Sequence, residues 1–220
     1  MYEVAENIEE LKEKHPDAII DDGEAYYVVF IAENVAKLYR KPRDFDKIKE
    51  ILAYGYFPNN ILRQLPLIKE TKAIGVVRRY KNAKGLLLEG PAGVGKTFAC
   101  TYAIAELVRV YKVNNPLYIS CITYRKSVWD RYPDADCYLI DDLNANIESI
   151  ELKLVEKIIY TAWNEKKHLF ITTNTPLKKL QKILAEPIIS RIFSLCQYAR
   201  IDDMGVVNNF VSVNHDKILN

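Results

Sequence analysis

The sequence predicts an α/β domain whose parallel sheet is covered by helices on both faces, and three observations predict it. From about Phe57 onward, short apolar runs alternate with helical runs. The apolar runs LLLE, LYISCI, CYLIDD, HLFITTN and CQYARID are nearly continuous in hydrophobicity, as strands buried on both faces require. The first of them leads directly into Gly90-Pro91-Ala92-Gly93-Val94-Gly95-Lys96-Thr97, a glycine-rich turn that opens a helix.

Residues 1–50 read as a small appendage to a larger unit, residues 51–220. Residues 4–14 suit a short polar helix, PDAII and AYYVVFI flank DDGE as a β-hairpin, and the stretch that follows is mostly helical after Pro42. So small a segment has too little core to fold independently. Residues 61–80 predict a helix or helix pair leading into the sheet, and FACTYAIAELVRVY the helix after the glycine-rich turn. The strand LYISCI, the short helical piece TYRKSVWDRY and the strand CYLIDD follow. In the long helix over 148–165, Leu152, Val155, Ile158, Ile159 and Ala162 share the face that docks on the sheet. The strand HLFITTN, helical LKKLQKILA and PIISRIFSL, and a last strand CQYARID complete the pattern. No internal repeat is visible.

Chemistry concentrates at three strand ends. Gly90 to Thr97 form a complete phosphate-binding loop: the glycines let successive N–H groups turn inward, Lys96 supplies a cation, and the Thr97 hydroxyl suits Mg2+. The positive end of the following helix points at the same anion. Asp141 and Asp142 end the strand CYLIDD, where a carboxylate at Asp141 would hold the Mg2+ shared with Thr97 and Asp142 would orient or polarise water. Paired Asp after an apolar strand is also ordinary turn chemistry; downstream of a phosphate loop the metal-holding reading is favoured. The strand HLFITTN ends in Thr172, Thr173 and Asn174, and Asn174 is placed to reach between the terminal phosphate and the attacking water, or else to start the turn before Thr175-Pro176.

Composition narrows the classes. A net charge of +2 gives no global basic field, so any nucleic-acid contact is local. Cys100, Cys121, Cys137 and Cys196 lack CxxC spacing and suit reduced, buried positions, and His15, His168 and His215 lie too far apart to suggest a zinc site. No apolar run has the length of a membrane span and the N-terminus does not read as a signal peptide, so the expected compartment is the cytoplasm. No NKxD element marks a GTPase, since residues 174–177 read NTPL, and no Arg-rich lid marks a small-molecule kinase.

GPAGVGKT, LIDD, ITTN and SRI, in that order and at these separations, resemble the AAA+ ATPases, P-loop NTPases that include the DnaC-like helicase-loader and IstB-like group. The resemblance covers about residues 55–202. It implies a five-stranded parallel sheet in which the ITTN strand lies between the phosphate-loop strand and the LIDD strand. It implies ATP and Mg2+ as ligands, with Lys96 and Thr97 on phosphate and metal, Asp141 on metal, Asp142 as the water-activating acid and Asn174 as a nucleotide sensor. It further implies that Arg191, in EPIISRI, enters the nucleotide site of a neighbouring subunit in a homo-oligomer or hetero-oligomer; as a sequence element alone it is also a surface arginine near a helix end.

Two departures stand out. Asp142 occupies a position where many AAA+ proteins carry Glu, and the N-terminal segment lacks the cysteines that partner-binding segments of the group often bear. Only about twenty residues follow the last strand, so no C-terminal helical lid is expected, a feature the resemblance assigns to the loader and IstB-like group along with weak solitary ATPase activity. The expected function is an ATP-dependent switch in DNA replication acting on single-stranded DNA or a replicative helicase. The alternatives are a transposition or packaging ATPase and a nucleotide-binding assembly adaptor. Candidate DNA contacts are Arg78, Arg79, Lys81 and Lys84; Arg125, Lys126 and Arg131 with Tyr124, Trp129 and Tyr132; and Lys178, Lys179 and Lys182, although solvated helix faces look much the same.

Overall fold

The computed structural model of the chain describes residues 3–32, 35–67, 71–80, 84–123, 126–144, 146–147, 149–202 and 205–207. The N-terminal part comprises β1 (Glu3–Val4), α1 (Ile8–Lys14), β2 (Ile19–Asp22), β3 (Tyr26–Ala32) and β4 (Val35–Arg40). These strands form a sheet in the order β1-β4-β3-β2. Asn7 caps α1 by accepting from the Glu10 N–H at 2.9 Å, and the Glu10 carboxylate reaches back to the Glu6 N–H at 2.8 Å. Leu11 of α1 packs with Ala5, Tyr27, Val29 and Tyr39 in a small core of its own. The sequence suggests no strand over residues 35–40, because Ala, Lys, Leu and Arg in VAKLYR suit a helix equally well. Pairing decides: β4 runs antiparallel to β3, with Val28 opposite Leu38 and Tyr27 opposite Tyr39.

The larger part begins with α2 (Phe45–Tyr54), which Asp44 caps by accepting from the Lys47 N–H at 2.8 Å. Position 50, the boundary read from sequence, falls inside this helix. Ile48 and Leu52 of α2 enter the same core as the parallel sheet. The expected helix pair over 61–80 consists of α3 (Asn59–Leu62), a 3-10 turn (Leu65–Leu67) and α4 (Lys72–Arg79), the last capped by Thr71. Then come β5 (Gly85–Glu89), α5 (Lys96–Arg109), β6 (Pro116–Ser120), α6 (Lys126–Arg131) with a 3-10 turn (Tyr132–Asp134), and β7 (Cys137–Asp141). The chain continues through α7 (Ser149–Asn164), β8 (His168–Thr173), α8 (Leu177–Leu180), α9 (Glu186–Leu195), β9 (Cys196–Asp202) and β10 (Gly205–Val207).

The sheet has the order β10-β9-β5-β8-β7-β6. Its five strands from β9 to β6 are all parallel, as expected, and β8 lies between β5 and β7. The sixth strand, β10, was not anticipated; it adds antiparallel to β9 at the edge. Most of the stretch on which the expectation of a missing lid rests, residues 203–204 and 208–220, lies outside the described residues.

Alternate side chains of each strand feed two cores. Leu86 and Leu88 meet α2, α4 and α5, whereas Leu87, Tyr138 and Ile140 meet α7 and α9. Val155, Ile158, Ile159 and Ala162 of α7 are buried on this second face, with Leu152 partly buried beside them. Arg109, at the end of α5, joins the two parts: it grips the Glu6 carboxylate through both terminal nitrogens, at 2.5 and 2.8 Å. Arg43 adds bonds to the Val108 and Val113 carbonyls at 2.5 and 3.2 Å. Among the described residues, no helix is long and apolar enough to cross a membrane.

Candidate functional site

In a parallel sheet, consecutive strand ends open on one crevice, and ligands bind outside the carboxyl ends. Here that edge gathers the ends of β5, β7 and β8. Gly93 and Gly95 have φ of +82° and +87°, a region that side-chain-bearing residues rarely adopt, and they let the loop turn back on itself. Gly95 precedes α5 with no side-chain cap, so the first N–H groups of α5 are left to a ligand. The Gly90 N–H donates to the Thr173 carbonyl at 3.1 Å, tying the start of the loop to the end of β8.

Lys96 is buried, and its ammonium donates to the Gly90 carbonyl at 2.9 Å, the Pro91 carbonyl at 2.8 Å and Asn174 Oδ1 at 2.6 Å. All three of its protons have acceptors. Burial lowers its pKa, an effect that the charges of Asp142 and Asp141 oppose. Asn174 in turn donates from Nδ2 to Asp142 Oδ1 at 3.4 Å. Burial and the neighbouring Asp141 charge hold the Asp142 carboxyl above the usual range.

Asp141 is the hub. Its Oδ1 accepts from the Thr97 hydroxyl at 2.8 Å and the Thr172 hydroxyl at 2.6 Å, while Oδ2 accepts from the Tyr118 hydroxyl at 2.7 Å. Thr172 Oγ1 also accepts from the Asp142 N–H at 2.9 Å. That bond supports Asp142 at φ +54°, a costly backbone setting for a side-chain-bearing residue.

Lys96, Thr97, Asp141, Asp142 and Asn174 thus form one connected set, drawn from two strand ends and a helix start. Arg191 lies elsewhere. It sits on α9 with its guanidinium over the rings of Tyr160, at 4.9 Å, and Trp163, at 5.1 Å, both on α7. Its Nε is buried without a hydrogen-bond partner.

A protein family described as RNA helicase matches residues 86–178, the stretch from β5 into α8. A crystal structure of DnaI superposes with a TM-score of 0.51 at 22% identity, covering 66% of this chain and 94% of that one. The chain has the P-loop NTPase fold. Two further likenesses have lower scores. A crystal structure of the DnaC helicase loader has a TM-score of 0.47 at 18% identity, covering 70% of this chain and 99% of that chain. AMPPCP-bound DnaA from Aquifex aeolicus has a TM-score of 0.45 at 17% identity, covering 61% and 47%. No curated protein sequence matches.

The residues fit the ligands that a P-loop NTPase fold implies. A hydroxyl at Thr97 and a carboxylate at Asp141 are the hard oxygen donors Mg2+ prefers, and the two already touch. The open space around Gly93, where an added Cβ would meet nothing within 4 Å, leaves the loop accessible to phosphate.

Three residues of the site escape sequence reasoning about roles. Tyr118 and Thr172 reach Asp141 from neighbouring strands, and Glu89, buried at the end of β5, accepts from the Leu177 N–H and the Tyr198 hydroxyl, each at 2.9 Å. Glu89 also pairs with Arg200 at 3.4 Å. Only the polar endings of these strands hinted at such bonds.

The DNA candidates fare unevenly. Arg131 is engaged by the protein itself: it donates to the Tyr54 carbonyl and to Asn115 Oδ1, and its guanidinium lies 3.9 Å from the Tyr54 ring centre. Lys157 approaches the Tyr132 ring at 5.3 Å, so that ring is not free to stack on a base. Lys81, Tyr124 and Arg125 lie outside the described residues, as do the side chains of Lys126 and Trp129. Arg78, Arg79, Lys84, Lys178, Lys179 and Lys182 are exposed, the last three directly after the Asn174 turn.

Proposed function

We propose that the chain binds ATP with Mg2+ and hydrolyses it as an assembly-dependent switch in DNA replication, acting on single-stranded DNA or on a replicative helicase. The observation that carries this reading is the bond chain Asp142–Asn174–Lys96, set beside the Thr97–Asp141 pair. It joins a phosphate-binding cation, a metal-holding pair, a water-orienting carboxylate and a polar sensor in one cluster.

The loop N–H groups and Lys96 hold the phosphates, and Thr97 and Asp141 hold the metal. Bound Mg2+ supplies neutralisation of phosphate charge. Asp142 orients water and takes its proton, and Asn174 steadies Asp142 against Lys96. Arg191 makes no contact with this cluster, which suits a role in a neighbouring subunit. In the isolated chain it rests against the rings of Tyr160 and Trp163.

Support for a nucleic-acid role is local: Lys178, Lys179 and Lys182 follow the Asn174 turn and would bring phosphate backbone to the mouth of the site. The N-terminal sheet is the proposed partner-binding region, and the four buried free cysteines suit a cytoplasmic setting.

The test is ATP turnover with and without single-stranded DNA, at several protein concentrations, for wild type, Lys96→Ala and Arg191→Ala. The proposal expects turnover that rises with protein concentration and is lost in both variants. Turnover independent of concentration and untouched by Arg191→Ala rejects action between subunits. Tight ATP binding without turnover identifies an assembly adaptor instead. Capture of a hexameric helicase separates replication from transposition or packaging.

A further inference from the structure

Of the groups that contact Asp141, one comes from a place the phosphate-loop chemistry does not require. Tyr118 is the middle residue of β6, the edge strand beside β7, and its hydroxyl crosses to Asp141 Oδ2 at 2.7 Å. Thr97 and Thr172 both donate to the other oxygen, Oδ1, at 2.8 and 2.6 Å. Rotation about Cβ–Cγ would move both oxygens, and the two bonds on Oδ1 resist it from one side only. A donor on the second oxygen fixes the carboxylate plane from the other.

The ring is itself held. It meets Phe57 with centroids 5.7 Å apart and planes tilted by 52°. The Tyr118 N–H donates to the Gly55 carbonyl at 2.8 Å. Gly55 ends α2 so close to β6 that an added Cβ would stand 2.2 Å from the Pro116 carbonyl oxygen, an approach open only to glycine. The turn after α2 therefore clamps the backbone and ring of the residue that clamps Asp141.

We propose that Tyr118 is a positioning residue for Asp141, that its hydroxyl sets the affinity of the nucleotide site for Mg2+, and that the Gly55–Phe57 turn holds it in place. The inference rests on the reading of Thr97 and Asp141 as the Mg2+-holding pair. Groups that orient a metal ligand typically change metal affinity 10–100-fold when removed. Tyr118→Phe removes only the oxygen and leaves the ring against Phe57.

The experiment measures binding of a fluorescent ADP to the full chain, first in EDTA and then along a Mg2+ series, with no turnover required. For Tyr118→Phe, affinity in EDTA is expected to equal wild type, while the half-saturating Mg2+ concentration rises by about tenfold. Phe57→Leu, which keeps the hydroxyl but loosens the ring, is expected to give a smaller rise. An unchanged or lowered Mg2+ requirement in Tyr118→Phe overturns the proposal. If Tyr118→Phe loses nucleotide binding in EDTA through misfolding, Phe57→Leu decides, and an unchanged Mg2+ requirement there overturns it. Asp141→Asn separates the two layers: it is expected to abolish the effect of Mg2+ on affinity. Should it respond to Mg2+ as wild type does, the metal role of Asp141 fails, and that failure is distinct from one confined to the tyrosine.

Discussion

Asn174 Oδ1 accepts a hydrogen bond from Lys96 Nζ across 2.6 Å, so the turn after β8 and the lysine that opens α5 are joined directly. The same amide donates to Asp142 from its other end. Asn174→Ala is therefore expected to slow ATP turnover by about 100-fold, the loss typical of one oriented polar group at a reacting phosphate or acyl centre. Nucleotide affinity in EDTA should change little, because Lys96 keeps two carbonyl partners and the loop N–H groups are untouched. Parallel turnover and equilibrium-binding measurements check both halves.

Arg191 offers an optical readout. The chain has 2 tryptophans, Trp129 and Trp163, and Trp163 lies under the Arg191 guanidinium. In a Trp129→Phe background, Arg191→Ala is expected to alter the emission of Trp163. Adding ATP to the protein that retains Arg191 should produce a similar change that grows with protein concentration, as departure of the arginine into a neighbour requires. A change that ignores concentration would place the movement within one chain.

His168, at the start of β8, is set by burial and then by the nearby Lys84 charge to a pKa below its ordinary 6.5, with Nδ1 3.1 Å from the Lys84 carbonyl. The folded chain then binds a proton less readily than the unfolded chain. The stability this histidine contributes is complete above its ordinary pKa and is lost as pH falls from there through the lowered folded value. Thermal midpoints should drop more steeply between neutral and mildly acidic pH in wild type than in His168→Gln, as followed by circular dichroism.

Glu89 knits β5, β9 and the start of α8. Glu89→Ala would strand the half-buried Leu177 N–H and Tyr198 hydroxyl, each at a cost near the low end of the about 1–3 kcal/mol of a fully buried orphan. A thermal midpoint lower by several degrees is expected, with Glu89→Gln intermediate because an amide oxygen still accepts. The turn carrying Asn174 lies only three residues before Leu177, so Glu89→Ala should also depress turnover beyond what its stability loss explains, measured well below the midpoint.

Much of the fold was legible because a parallel sheet makes strong local demands. Strands such as LLLE and HLFITT must be apolar throughout, and a glycine-rich turn between strand and helix is rarely anything but an anion cradle. The same logic placed Asp141, Asp142 and Asn174 at adjacent strand ends. What stayed hidden depends on pairing across the chain. β4 carries residues that suit either regular structure, and only its register with β3 makes it a strand. Tyr118 looks from sequence like one more apolar strand residue, since nothing local says that its hydroxyl crosses to β7. Arg131 looks like a surface cation until the fold brings Tyr54 and Asn115 to it.

One helix touches both ends of the molecule. Over its 14 residues, α5 starts at Lys96 in the phosphate loop and finishes at Arg109, which grips Glu6 beside the N-terminal sheet. At about 1.5 Å per residue this is a stiff strut of about 21 Å. A strut cannot bend locally to absorb a displacement at its foot. A tilt of the first turn would therefore swing the far end sideways, pressing Arg109 against Glu6 and the N-terminal sheet.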